Sequence, residues 1–405
     1  MRRWPRHPPR GSQTLAHHQN NLNQPAVSIS AQMRWATVAQ LASHTSAALI
    51  VVLGLLGDVH YYVRLQTILA LNTFSGLLHL GLADALFQWK LQKKSITDAS
   101  LTNIKVTVTA LSAIGALLFT AHKSLEDGDR LAVYLMVLIT NRTALKHALN
   151  NGAGNTQIQS RALLVEKMIW AIVIGLMIVS KTTVDPLWVP AAMLIGLLLI
   201  HETRQEAPQT YQGSLKAALS TGLPIMALNL TAAAHLPLIT LIMSARLPAE
   251  EARPLLIITS LCGALLAYIS NYSLIVTTND RGPEIQRTLY TRLTFLVTLA
   301  AGATTLLALP QTPWQPAKPL ATIGILVAIL WLVEIRNLVL FVPLLRRRSS
   351  ISTLVVANTA GLATLAIAYV GLNAMQAGAT TTFGVLLLAP SAMRHIILSN
   401  GAGKP

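Results

Sequence analysis

Twelve apolar runs, most of them near the ~20 residues that carry a helix across ~30 Å of hydrocarbon, decide what this chain can fold into. They fall at about 36–56, 65–87, 104–121, 131–148, 163–180, 183–201, 216–243, 254–277, 289–309, 319–343, 351–372 and 379–399. In hydrocarbon every backbone N–H and C=O must be bonded within the protein, so runs of this kind predict membrane helices rather than a soluble core. Composition agrees. Of 405 residues 53% are hydrophobic and 11% charged, against about 25% charged in a soluble domain. The fourth run has a short apolar core, Leu131 to Thr140, followed by Asn141 and Arg142. The sixth opens on Asp185-Pro186, a good helix start. The seventh is long and holds Pro224 and Pro237, which predicts a kink.

Charge orients the chain. With the N-terminus in the cytoplasm, 24 of the 31 Lys and Arg fall on the cytoplasmic side. Cytoplasmic loops of membrane proteins collect these residues, so both ends are expected inside. A missed helix would invert every later loop, so the same asymmetry checks the helix count. The net charge of +16 therefore reads as topology rather than as a nucleic-acid face, because the basic residues sit in short loops without interleaved aromatics. The loops Lys90 to Lys94 and Arg346-Arg347-Arg348 are expected to touch anionic headgroups. Residues 1–30 are polar, with Arg2, Arg3, Arg6 and Arg10 and no apolar segment directly behind them. They predict a disordered basic cytoplasmic tail, not a cleavable signal. The single Cys262 lies inside an apolar run and reads as a small buried hydrophobe.

Runs one to six and seven to twelve form two sets offset by roughly 190 residues, the arrangement of parallel repeats. The predicted organisation is therefore a tail over 1–30, a six-helix lobe over 31–205 and a second over 206–405.

The stretch Leu55 to Gln92, LLGDVHYYVRLQTILALNTFSGLLHLGLADALFQWKLQ, contains a short polar elbow and then a helix ending in Leu80-Gly81-Leu82-Ala83-Asp84-Ala85. It resembles the start of bacterial polysaccharide-biosynthesis exporters. That superfamily includes multidrug-and-toxin exporters, O-antigen flippases of lipopolysaccharide synthesis and the lipid II flippase. Leu241 to Leu261, LIMSARLPAEEARPLLIITSL, resembles the corresponding elbow at the start of the second lobe. The first elbow departs from the pattern, with Gly57-Asp58-Val59-His60 where an arginine leads. The resemblance implies two lobes facing each other across a central cavity, alternating access, and a hinging seventh helix. A twelve-helix major facilitator is the competing architecture. Its Gly-x-x-x-Asp-[Arg/Lys]-x-Gly-Arg phrase is not reproduced by Gly81-Leu82-Ala83-Asp84-Ala85-Leu86-Phe87.

Polar groups at membrane depth are costly and need a reason. In the first run Gln40, Ser43 and His44 share a face, and in the second Asn72, Ser75 and His79 do. Such stripes either line a wet cavity or pack helix on helix through hydrogen bonds. Arg142 either grips a substrate phosphate bidentately or anchors the helix at the headgroups. In the seventh run Asn229 and His235 lie between Pro224 and Pro237, in a proline-broken helix whose freed carbonyls are tolerated where they line protein or water; His235 either titrates during transport or is simply hydrogen-bonded. Asn271 and Tyr268 are candidate sugar contacts. Glu334 lies about fifteen residues into its span and is either a proton or cation site or the partner of a basic residue on a neighbouring helix. Asp84 is the other coupling candidate, or a structural helix-end charge facing Lys90, Lys93 and Lys94.

No glycine loop, metal-ligand spacing or nucleophile elbow is present in a fitting context, so neither enzyme, cofactor nor metal is expected. A glycan polymerase or ligase would carry a large external loop, and none here exceeds about ten residues. The sequence thus predicts a multi-pass protein of a bacterial inner membrane. Its expected function is to flip a lipid-linked oligosaccharide, among membrane lipids and polysaccharide polymerase or assembly proteins. An ion-coupled antiporter of drugs or other small molecules is the alternative.

Overall fold

The structure is a computed structural model. It describes residues 29–91, 95–120, 125–152, 156–200, 210–211, 214–278, 318–342 and 351–402, with parts of 288–298. The chain is all-α, and helices cover every expected span except the ninth, 289–309, which lies mostly outside the described residues. Residues 1–28 of the tail expected over 1–30, the lobe boundary near 205 and the Arg346-Arg347-Arg348 loop also lie outside them, while Ile29 and Ser30 already belong to the first helix.

Helix α1 (Ile29–Leu56) packs along α6 (Thr156–Ser180). The polar elbow then starts α2 (Val59–Thr73): the Asp58 carboxylate accepts from the Tyr61 N–H at 2.7 Å, an N-cap. Span two was expected to be one helix over 65–87. Instead a 3-10 turn, Phe74–Leu77, interrupts it, and α3 (Leu82–Leu91) resumes after Leu80 and Gly81 at φ of 47° and 74°. Gly81 takes that conformation without a steric cost, whereas Leu80 is strained there. Helix α4 (Asp98–Thr120) pairs with α5 (Asp127–Gly152). The weakest expected span is thus a full helix that continues through Asn141, whose amide donates to the Val137 carbonyl at 2.9 Å. The sixth span is short, α7 (Trp188–Leu198), and Asp185 accepts from the Leu187 N–H at its start.

In the second half, α8 (Leu215–Ala233) and α9 (His235–Arg246) form the expected broken span, bent by 51°. Pro237 supplies no N–H for the Ala233 carbonyl, which accounts for the break. Then come α10 (Ala249–Thr278), α11 (Lys318–Ile335) running into a π-helical turn, Arg336–Phe341, and the antiparallel pair α12 (Ile351–Ala374) and α13 (Ala379–Ala402). Among the described helices, five are long and apolar enough to span a membrane, and the bent α8–α9 pair is a sixth.

Helices α1 to α7 pack chiefly on one another, as do α8 to α13. The two sets meet along two seams. At one, α2 faces α9 and α10, Tyr62 OH lies 3.4 Å from Ser260 Oγ, and Arg253 donates to the end-of-helix carbonyls of Gly54 and Leu55 on α1. A cation there also answers the negative helix C-terminus. At the other, α3 crosses α8 so closely that a Cβ on Gly222 would meet the Gly81 backbone. A two-residue parallel pairing, Ser95–Ile96 with Thr210–Tyr211, ties the joints following α3 and α7 together.

Candidate functional site

Between the two seams lies a cavity of about 640 Å³. Its walls come from α2, α8, α9, α10, α11 with its π turn, and α13. The kink at Pro237 contributes directly, since Asn229 on α8 and His235 on α9 both face the space. Leu69, Leu236 and Leu338 give it apolar surface, while Gln66, Thr240 and Ser260 add amide and hydroxyl groups.

One ion pair sits in this wall. Glu334 is 1% exposed and Arg394 8% exposed. Arg394 Nη1 donates to both Glu334 oxygens, at 3.2 and 3.3 Å. Burying either charge alone would cost several kcal/mol, so each requires the other. The arginine stem is held by α12: Gly361 leaves room where a Cβ would lie 2.9 Å from Arg394 Cγ. One residue on, His395 Nδ1 meets Asn337 Oδ1 at 2.8 Å, with the π turn bringing Asn337 into reach. π turns of this kind frequently mark functional sites.

His235 has a local structural explanation. Pro390 inside α13 has no N–H for the Leu386 carbonyl four residues earlier. His235 Nε2 lies 3.0 Å from that oxygen. A carbonyl only accepts, so Nε2 carries the hydrogen. The histidine thereby closes a gap in a neighbouring helix while its ring borders the cavity.

The structure therefore brings together Asn229, His235 and Glu334 from the sequence candidates, and adds Arg394. The other candidates sit elsewhere. Arg142 lines a separate recess of about 370 Å³ with Thr109, Ser112, Asn141 and Leu197, outside the central cavity. Nearby Lys146 donates to the carbonyls of Leu197 and Ile200, at 3.3 and 2.9 Å, at the end of α7. Asn72 accepts from Thr140 Oγ1 at 3.1 Å, joining α2 to α5. His79 Nδ1 accepts from the Gly81 N–H at 3.1 Å, within the helix break. His44 is half-buried on α1. Asp84 occupies the first turn of α3, where the helix dipole favours a carboxylate. Asn271 and Tyr268 lie in α10, with their side chains outside the described residues. Among the described residues no cluster of His, Cys, Asp or Glu is arranged to hold a metal.

Arg394 is one of the 24 basic residues that the charge asymmetry assigns to the cytoplasmic side, and the sequence gives it no other role. The available signal was its place inside the apolar span 379–399, the same signal that singled out Glu334. A second tie was also missed. Arg64 on α2 grips buried Asp129 of α5 with Nε at 3.0 Å and Nη2 at 2.8 Å, and Nη2 reaches Glu126 at 2.9 Å.

No family model matches the chain, and no curated protein matches it. Among solved structures, the crystal structure of the eukaryotic MATE transporter AtDTX14 is similar, with a TM-score of 0.50 over 91% of this chain and 94% of that one. Sequence identity is 11%, so the likeness is one of fold. The chain has an all-α fold similar to that of this transporter.

Proposed function

We propose that the chain is a bacterial inner-membrane exporter that moves a lipid-linked saccharide from the cytoplasmic to the outer face by alternating access. The observation that carries this reading is the cavity between the two helix sets, bounded by a seam on each side and walled by both apolar and polar groups. An amphiphile needs both kinds of surface: leucines for its lipid stem, and hydroxyl, amide and charged groups for its head. The two helix sets, 31–205 and 206–405, act as the rocking bodies, with the α8–α9 break as the hinge. Asn229, Gln66 and Ser260 line the path of the head group.

The test is surface-glycan profiling of cells lacking the chain, with and without the wild-type gene restored. Loss of a surface polysaccharide, with its lipid-linked precursor accumulating inside, supports the proposal. An unchanged profile sinks it. The second reading, an ion-coupled antiporter, is favoured by one specific feature: an acid, Glu334, buried in the cavity wall. Lost drug tolerance with an intact glycan would move the weight there.

A further inference from the structure

The Glu334–Arg394 pair is a poor use of an arginine. A guanidinium presents two forked edges, and a carboxylate that fills one engages two nitrogens at about 2.7–2.9 Å. This protein builds such a fork elsewhere, where Arg64 uses Nε and Nη2 on Asp129 at 3.0 and 2.8 Å. Arg394 instead offers Glu334 a single nitrogen, Nη1, at 3.2 and 3.3 Å. Its Nε is buried and has no hydrogen-bond partner. A buried donor left unpaired is costly, and the forked edge that contains Nε is not filled by Glu334. The side chain is 8% exposed and lines the cavity, and its stem occupies the room that Gly361 leaves on α12. Among the described lining residues it is the one cation and Glu334 the one acid.

We infer that Arg394 grips the phosphate or diphosphate of the transported ligand with its Nε edge, and that Glu334 is the resident counter-ion holding this arginine in place and competing for it. Phosphate oxygens match that edge in width and charge. Gln66, Thr240, Ser260 and Asn229 provide further donors around the same space. The inference rests on the reading of the cavity as the transport path and names the chemical group it takes. Glu334 then acts as a positioning residue: it keeps a buried guanidinium tolerable in the empty protein and yields part of it when an anion arrives.

The experiment uses the purified full-length chain in detergent and three probes: inorganic diphosphate, farnesyl diphosphate and uncharged farnesol. Affinity is read by titration calorimetry, with the unfolding midpoint as a check on folding. Wild type is expected to bind diphosphate and not farnesol. Glu334→Gln removes the competitor and keeps the shape, and is expected to tighten diphosphate binding about tenfold. Arg394→Lys keeps the charge but loses the fork, and is expected to weaken it at least tenfold. The double variant Arg394→Gln, Glu334→Gln has no buried charge to destabilise it and is expected to lose binding while staying folded. Comparable affinity for the two diphosphates assigns a soluble phosphate ester; a large preference for the farnesyl form assigns a lipid-linked one. Diphosphate binding that is absent in wild type, indifferent to Arg394, or weakened by Glu334→Gln overturns the inference. Binding that follows these variants beside an unchanged surface glycan keeps the anion site and sinks the saccharide reading. Glycan loss with an Arg394-independent ligand does the reverse.

Discussion

Alternating access requires each seam to open in turn, and the α3–α8 crossing offers a clean way to jam one of them. Gly222→Ala places a Cβ 3.0 Å from the Gly81 Cα and closer still to the Gly81 carbonyl, where ordinary contact begins at 3.4 Å. The obstruction is backbone on both sides, so no side chain can rotate away. Gly81 cannot shift easily either, because its φ of 74° is fixed by the helix break. Overpacking of this kind costs ~1–3 kcal/mol, which disfavours the conformation with the crossing closed by about 5- to 150-fold. This seam lies between the cavity and the end expected to face the cytoplasm, since Gly222 precedes the cavity-lining Asn229 on a helix that starts inside. The assay is thiol labelling at Ala233→Cys, a cavity-lining position, in a Cys262→Ala background that removes the only native cysteine. A membrane-impermeant reagent applied to inside-out vesicles should label the Gly222→Ala protein at least five times faster than its parent. Equal rates, with the variant folded and inserted at normal level, would show that the crossing is not a gate.

The opposite seam makes the mirror prediction. Arg253→Ala removes the cap from the Gly54 and Leu55 carbonyls and should raise labelling of the same cysteine in right-side-out vesicles, leaving inside-out rates unchanged or lower. Asp129→Asn breaks a fork whose acid is buried but whose arginine is about one-third exposed. Solvent screening of that arginine limits the loss to about 2 kcal/mol, read as a lower unfolding midpoint in detergent with ligand affinity retained.

Much of the fold was legible because hydrophobic length is a one-dimensional signal. Run positions placed the described helices, and the two prolines of the seventh run announced a kink, which the fold makes at Pro237 while Pro224 stays inside α8. The polar elbow Gly57-Asp58-Val59-His60 was legible as a break between runs, but the helix starts at Val59 on the Asp58 cap, ahead of the apolar run expected from 65. What escaped was everything that depends on a second segment. The break at Leu80 and Gly81 falls where another backbone, at Gly222, comes within contact, and no property of residues 65–87 reports that neighbour. Glu334 was visible as a charge at depth, and a basic partner was among the alternatives. Its identity was not visible, because Arg394 lies 60 residues away and depth along a run does not reveal which way a side chain faces. His235 shows the same limit: its partner is a carbonyl freed by a proline 155 positions later, at Pro390.

Two arginines therefore compete for the role of phosphate grip, and the structure separates them. Arg142 and Arg394 both sit near the ends of apolar runs, and by sequence they are equivalent. In the fold, Arg142 opens on a recess between α4, α5 and α7 that belongs wholly to the first helix set. A site inside one rocking body moves with that body and does not change its exposure between the faces. Arg394 lines a cavity walled by both sets, which is where rocking alters access. Complementation of a deletion strain should thus divide the two. Arg142→Ala is expected to restore surface glycan to near the wild-type level. Arg394→Lys, expressed and inserted equally well, is expected to restore less than a tenth of it, because a lysine retains the charge opposite Glu334 but has no planar edge for a phosphate. Glycan lost with Arg142→Ala and kept with Arg394→Lys would return the grip to the recess and leave the central ion pair a purely structural tie.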